Sequence, residues 1–231
     1  TAKEKVTRYF GDIPASATLA DMKTNIPKHA RDTRETIPDR VPQVRVYRAW
    51  PVAEMGTKDA TLLDLFAQVL GGSAASRFDT RLVHGEKIAD QASAYQWSSE
   101  ISGTFFLVST VKEGVDPAKV EKALDEELKR LITEGPTADE LERAKVAGRA
   151  SFVRGIGRIG GFGGKADGLG SCAVYEGTPD CYQEELAILA DATASEVQAA
   201  AKKWLAGASH TILVQPSETA ASSLPETVFA A

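Results

Sequence analysis

The stretch of sequence most like a chemical motif is a run of glycines at residues 155–170, GIGRIGGFGGKADGLG. From Gly155 it matches the G-x-G-x-x-G spacing of dinucleotide-binding sites, in which a strand leads into the glycines and a helix follows them. Here the preceding residues have a helical pattern instead. As a phosphate-binding loop it would have Ile159 in place of a glycine and Ala166 in place of the magnesium-binding hydroxyl. We therefore interpret the run as a break between two helices, with nucleotide binding as an alternative.

The three histidines of the chain, His29, His84 and His210, are far apart in sequence. A zinc site needs three or four converging Cys, His, Asp or Glu ligands, and helical sites usually place two histidines four residues apart. The chain contains no such pair, and it has no Gly-x-Ser-x-Gly nucleophile motif. We therefore predict no catalytic, cofactor-binding or metal-binding residue, and we assign the histidines structural or solvated roles.

Cys172 and Cys181 are the two cysteines of the chain, and they flank a turn at Gly177-Thr178-Pro179. They would form a disulfide in an oxidising compartment, or remain as two buried thiols in a reducing one. The sequence leaves both possibilities open. A periplasmic or exported location of the protein is a hypothesis, and such an oxidising compartment would favour the disulfide.

The overall composition excludes two broad classes of partner. The chain has 231 residues with 27 Lys and Arg against 32 Asp and Glu, a net charge of -5, and it lacks the basic runs that neutralise phosphates. It also lacks the run of about 18 apolar residues that a transmembrane helix requires. We therefore expect neither a nucleic-acid partner nor a membrane span, in a chain that is 43% hydrophobic and able to form a sizeable core.

Hydrophobic periodicity indicates which elements would position these residues. A period of two predicts a strand over residues 44–50. Further strands are predicted over 92–97 and 104–111, which form a hairpin and of which the second is nearly continuously apolar, and over 211–214. Helical spacing predicts helices over 59–70 and 73–84, from Asp116-Pro117 to before Gly135, and after the capping-box sequences at 137–140 and 193–196.

The order of these elements predicts an α+β fold. We expect a four-stranded antiparallel sheet with helices packed on one face, in the order β-α-α-β-β-α-α-α-α-β. The predicted limits are a helix end at 1–14, a linker at 15–42, the α+β domain at 43–216, and a C-terminal linker or tail at 217–231.

Four segments follow one another in a recognisable order. They are residues 8–14 (RYFGDIP), 69–78 (VLGGSAASRF), 134–145 (EGPTADELERAK) and 160–167 (GGFGGKAD). Together they resemble the pitrilysin/insulinase-type zinc metallopeptidases, the inverzincins. The resemblance extends over nearly the whole chain and depends on the order and spacing of the segments.

The resemblance implies a clamshell enzyme built from repeated α+β domains, usually two per half. The first domain of a half carries the H-x-x-E-H zinc motif and a downstream glutamate ligand. This chain has no such motif, so it resembles the second, non-catalytic domain of a half, with residues 1–14 as the end of the preceding domain's last helix. Zinc is then implied for the parent enzyme and no cofactor for this fragment.

The opposite half in this family supplies an arginine and, seven residues later, a tyrosine that hold substrate near the zinc. Aligned on the Ser-Arg pair of the second segment, these positions fall on Val83 and Asp90, so neither role is carried over. Arg81 and Tyr95 lie nearby at a different spacing, and we interpret them as a surface arginine and a strand aromatic. The resemblance therefore implies the zinc-bearing half.

The leading hypothesis is a non-catalytic structural and substrate-chamber domain of a zinc metalloendopeptidase that cleaves peptides or unfolded chains. Its partners would be the preceding zinc-binding domain, the opposite half or subunit, and a peptide substrate. The alternative is a degenerate assembly subunit of a protease or processing complex.

Overall fold

A five-stranded sheet and seven α-helices form the part of the chain that the computed structural model describes, residues 1–14, 16–17 and 22–218. In chain order, the elements are α1 (Ala2–Phe10), β1 (Thr33–Asp39), β2 (Arg45–Val52), α2 (Lys58–Gly71), a π-helix (Asp79–Gly85), β3 (Ala89–Ser98), β4 (Gly103–Val111), α3 (Pro117–Glu134), α4 (Ala138–Ile156), α5 (Lys165–Tyr175), α6 (Tyr182–Asp191), α7 (Ala194–Leu205) and β5 (His210–Pro216). The strand order across the sheet is β1-β5-β2-β4-β3.

The hydrophobic core lies between one face of the sheet and the helices. Along β4 every second residue is buried, which is the pattern of a strand with one face in a core. On that face the Phe105 ring lies 6.3 Å from the ring of Trp50 on β2 and 6.1 Å from that of Phe66 on α2. The predicted α+β class, with helices on one face of the sheet and a β3–β4 hairpin, is confirmed.

The prediction of four strands is wrong, because β1 adds a fifth. It pairs in parallel with β5, from Thr33 opposite His210 to Asp39 opposite Pro216, whereas all other neighbouring strands are antiparallel. The sequence of β1, TRETIPD, gives little strand signal because it is mostly exposed and polar and contains a proline. β1 lies within residues 15–42, the segment predicted as a linker. The predicted limits of the domain itself remain predictions.

The helices form two layers. α2, α3 and α7 contact strands of the sheet, whereas α4 and α6 pack behind α2 and α5 contacts α4. Five helices rather than the predicted four separate β4 from β5, since the cysteine-containing segment forms both α5 and α6. The predicted helix at 73–84 is helical only from residue 77 onward, after a turn, and it continues as the π-helix Asp79–Gly85. No helix in the described ranges is both long and apolar enough to cross a membrane.

The predicted helix starts are confirmed by their caps. The Asp116 carboxylate accepts a hydrogen bond from the Ala118 amide, with Pro117 in the first turn. Thr137 and Thr193 each begin a complete capping box with the glutamate three residues later. These reciprocal bonds satisfy amides that a helix start leaves free. Most of the predicted C-terminal tail, residues 219–231, lies outside the described residues.

Candidate functional site

The glycine run joins two helices. α4 ends at Ile156 and α5 begins at Lys165, so a helix, and not the strand that a dinucleotide motif requires, precedes the glycines. Gly161 and Gly163 have φ angles of 82° and 69°, which glycine adopts without strain. A side chain at Gly164 would place its Cβ 2.6 Å from the Gly160 carbonyl oxygen. The glycines therefore allow the tight turn between α4 and α5.

The amides that a phosphate would need are already bonded within this turn. The Lys165 amide donates to the Arg158 carbonyl at 2.7 Å, and the amide of Ala166 donates to the Ile159 carbonyl at 3.0 Å. The Asp167 carboxylate accepts from the Gly163 amide at 2.9 Å. Anion sites at helix N-termini depend on free amides, so this geometry does not support the nucleotide-binding alternative.

The three histidines lie apart in the structure as they do in the sequence. His84 contacts the Asp79 carboxylate at 3.0 Å, and His210 Nδ1 contacts the Thr33 hydroxyl at 2.8 Å, while His29 is exposed. Across the described ranges no three His, Cys, Asp or Glu side chains converge as metal ligands would. The residues described here do not fit the zinc that the family resemblance implies for the parent.

Val83 and Asp90 are the residues on which the alignment from the Ser-Arg pair would place the family's substrate-binding arginine and tyrosine. Val83 is half-buried in the π-helix, and Asp90 is exposed on β3, where its carboxylate accepts a hydrogen bond from the Gln43 side chain. Neither can reproduce its counterpart, because valine has no hydrogen-bond donor and an ionised carboxylate only accepts.

Arg81 and Tyr95, the other two residues considered for that role, are engaged elsewhere. The Arg81 guanidinium forms ion pairs with Glu126, Glu86 and Glu127, and the hydrogen bonds that it donates to these carboxylates raise its pKa. The Tyr95 ring stacks on Phe106, with ring centroids 5.3 Å apart. The structure thus does not bring Arg81 and Tyr95 together as a pair.

A cavity of about 720 Å³ lies between α2 and the second helical layer. This volume is within the range of small-molecule sites. Its walls are largely apolar, and α4, α5 and α6 each contribute to them. The apolar lining includes Phe152, Ile156, Leu169, Tyr182 and Ile188.

Carboxylates interrupt this apolar wall. Asp64 on α2, Glu176 after α5, and Glu184 and Glu185 on α6 all line the cavity. The surface of the Asp64 side chain is exposed to solvent, although its carboxylate has many protein atoms of the cavity wall around it. This burial, together with the nearby charge of Glu185, raises the pKa of Asp64 to about 7. Burial and the charge of Glu176 raise the pKa of Glu185 in turn.

A disulfide between Cys172 and Cys181 fixes one side of the cavity. It connects α5 to the start of α6, with the two Cα atoms 5.4 Å apart, and both cysteines line the cavity wall. Of the two possibilities left open by the sequence, the structure has the bonded one.

The cavity could not be predicted from local sequence, because most of its residues come from four helices that are separate in sequence. One local signal was present. Asp64 is the single charged residue within the otherwise apolar run 62–67 of α2. A carboxylate in the middle of a helix buried on nearly all sides indicates either a polar partner or a polar site.

The fold and sequence place the chain among the M16 peptidases. The sequence profile of the peptidase M16 inactive domain matches residues 1–147, and the chain belongs to this family. The resemblance deduced from the four segments is confirmed, as is the assignment to a non-catalytic domain. No curated protein sequence matches the chain significantly.

Solved structures show the same fold. A protease from Helicobacter pylori has a TM-score of 0.79 and 18% identity, over 93% of this chain and 51% of that one. An M16 inactive domain from Pseudomonas fluorescens has a TM-score of 0.75 and 18% identity, over 96% of this chain and 52% of that one. The inactive peptidase domain of a candidate zinc protease from Bordetella parapertussis has a TM-score of 0.66 and 20% identity, over 81% of this chain and 98% of that one. The chain thus spans about half the length of the first two.

Proposed function

We propose that the chain is the non-catalytic structural and substrate-chamber domain of the zinc-bearing half of a metalloendopeptidase. The match to the family's inactive domain over residues 1–147 is the observation that carries this proposal. In the proposed enzyme, the preceding domain holds zinc and activates water, because zinc lowers the pKa of water bound to it. The present domain supports that centre and bounds the space that receives peptide.

The residues at positions 83 and 90 support assignment to the zinc-bearing half. The opposite half of a family member supplies an arginine and a tyrosine at these positions, where this chain has valine and aspartate. An aspartate would repel a substrate carboxylate and cannot donate to a peptide carbonyl at neutral pH. We infer that another half or subunit contributes the substrate-binding pair.

The exposed apolar face of α1 supports contact with a neighbouring domain. Val6, Tyr9 and Phe10 are each more than half exposed, and no residue of α1 is buried. Apolar side chains clustered on one helix face usually pack against another surface. We assign this face to the preceding zinc-binding domain.

An edge of the sheet is available for an extended peptide. β1 and β3 are the two edge strands. Pro38 removes an amide donor from β1, whereas β3 contains no proline over its ten residues. Peptides bind sheet edges by adding a strand, so we propose β3 as the edge that a substrate contacts.

A direct assay tests the proposal. The purified chain is incubated with zinc and a quenched fluorescent peptide, in parallel with a family member that retains H-x-x-E-H. We expect chelator-sensitive hydrolysis from the control enzyme alone. Robust hydrolysis by the purified chain, abolished by a chelator, would overturn the assignment as a non-catalytic domain.

The second candidate function, a degenerate assembly subunit, is favoured by apolar residues in the glycine turn. Ile159 and Phe162 are 83% and 94% exposed, as expected for a surface that contacts another protein. A photoreactive peptide substrate added to the full-length protein distinguishes the two. Labelling of β3 supports the substrate-chamber domain, and absence of label from this domain supports assembly.

A further inference from the structure

The cavity between α2 and the second helical layer carries negative charge that the protein does not neutralise. Its four carboxylates, those of Asp64, Glu176, Glu184 and Glu185, form no ion pair and accept no hydrogen bond from any described residue. The cavity wall also includes Lys165, which forms no ion pair with them. All four side chains reach solvent, and the negative charge that they bring to a largely apolar cavity attracts a cation.

The apolar wall opposite these carboxylates suits an organic cation. Phe152 on α4 and Tyr182 on α6 stack with ring centroids 5.5 Å apart, and both rings line the cavity. Aromatic faces attract ammonium and guanidinium groups, and this attraction strengthens where water is excluded. Ile156, Leu169 and Ile188 supply surface for a hydrocarbon chain.

We propose that this cavity binds an organic cation with an apolar body, a guanidinium or primary ammonium group carried on a short hydrocarbon chain. The charged group lies against Asp64 and Glu185, and the hydrocarbon packs against the aromatic pair. The ligand is either a free small molecule or a basic side chain of a bound peptide. The site does not depend on the proposed role of the chain in a peptidase.

A metal ion fits the cavity less well than an organic cation does. The carboxylates are distributed over three separate segments, and among the described residues no three of them meet the geometry of a metal site. Hard cations such as Ca²⁺ and Mg²⁺ also prefer sites rich in oxygen ligands, whereas most of this wall is hydrocarbon.

The cation should bind more tightly as pH rises, because the ionised form of Asp64 is the form that binds it. The charged groups facing Asp64 are Lys165 and Glu176 from the α5 segment and Glu184 and Glu185 from α6, and the part of α4 in the wall contributes none. Burial raises the pKa of Asp64 to about 7, so the carboxylate is mostly protonated at pH 5.5 and mostly ionised at pH 8.5.

Titrations of the full chain followed by NMR test the proposal. The probes are butylguanidinium, butylammonium and, as an uncharged match, butanol. A short peptide with one arginine between leucines, and the same peptide with citrulline, test the side-chain source. The variants are Asp64→Asn and Glu185→Gln, with Glu142→Gln as a control, because Glu142 is an exposed carboxylate of α4 outside the cavity.

We expect either cation to shift the resonances of Phe152 and Tyr182, and butanol to bind at least about tenfold more weakly. Asp64→Asn should weaken cation binding about tenfold and reduce its pH dependence, of which Glu185 retains a part, while Glu142→Gln leaves both unchanged. If the arginine peptide binds more tightly than butylguanidinium, the ligand is a basic side chain of a bound peptide. If butylguanidinium binds more tightly, the ligand is a free small molecule.

Two results would overturn the proposal. One is the absence of shifts at the cavity with every cationic probe at pH 8.5. The other is binding that Asp64→Asn and Glu185→Gln leave unchanged. Neither substitution should prevent folding, because both side chains reach solvent and neither forms an ion pair with a described residue.

Discussion

Asp64 shows how one side chain can conflict with the helix that carries it. Its neighbours in α2 are almost all buried and apolar, and the second helical layer surrounds its carboxylate without supplying a donor. An unpaired carboxylate at this position lowers stability when it is ionised, because the protein atoms around it disfavour the charged form.

The first prediction concerns the pH dependence that Asp64 confers. The pKa of Asp64 is about 7 in the folded chain and ordinarily about 3.8, so the folded state binds more protons between these pH values. Stability therefore falls as pH rises from about 4 through 7. Asp64→Asn should raise Tm at pH 8.5 by about 2–4 °C, an effect limited by solvent in the open cavity.

Thermal unfolding at several pH values between 5 and 9 measures this effect. Glu142→Gln, which removes an exposed carboxylate from α4, should leave the profile unchanged. A profile for Asp64→Asn that parallels that of the original chain would contradict the prediction.

The ion pair between Arg77 and Glu140 has the opposite effect on stability. Both side chains are largely buried, and two hydrogen bonds of 2.8 Å join the guanidinium to the carboxylate. These bonds, chiefly, hold the pKa of Glu140 at about 2. Since the folded pKa lies below the usual 4.5, the stabilisation is complete above about pH 4.5 and is lost as pH falls toward 2.

The second prediction follows from this pair. Glu140→Gln keeps a side chain that can complete the capping box of α4 but leaves the Arg77 charge unpaired, and should cost about 2–3 kcal/mol at pH 7. Urea unfolding measures the loss. Glu196→Gln is a matched control in the capping box of α7, where the ion-pair partner Lys58 is exposed. Equal losses in the two variants would show that capping, not ion pairing, is responsible.

At the scale of secondary-structure elements, the disulfide determines how α5 and α6 are held. Neither helix has many buried residues, and α5 packs mainly on α4. The bond between Cys172 and Cys181 therefore restrains a part of the molecule that has little core of its own.

The third prediction is that replacing both Cys172 and Cys181 with alanine loosens this segment more than the sheet. Closing a loop of this length contributes about 2–3 kcal/mol. Hydrogen exchange should accelerate over residues 157–191, while exchange in β2 and β4 stays slow. Uniform acceleration over the whole chain would show instead that the bond stabilises the domain as one unit.

The fourth prediction concerns β1, which depends on contacts at its start. The Asp32 carboxylate accepts hydrogen bonds from the amide and hydroxyl of Ser209, at 2.8 and 3.0 Å, and these bonds lower its pKa. Asp32→Ala should increase hydrogen exchange over residues 33–39, with little change in Tm because this edge strand is mostly exposed. Glu100→Gln, in an exposed loop, serves as a control, and unchanged exchange in β1 would refute the role of Asp32.

For the whole molecule, the sequence was informative where structure depends on local pattern. The apolar run in β4 and the capping boxes at Thr137 and Thr193 predicted elements that the structure contains. β1 was missed because its pairing with β5 depends on residues 177 positions away and not on its own composition. The cavity was missed for a similar reason, since its wall forms when four helices pack together.

The order of strands in the sheet also has a consequence for how the chain can fold as it is synthesised. β5 is the last strand of the described chain, yet it lies between β1 and β2, the first two. Until residues 210–216 leave the ribosome, β2 has an unpaired edge and β1 has no partner in the sheet. The sheet is therefore completed only after residues 210–216 have been made, and a nascent chain without them exposes a gap that another strand can enter.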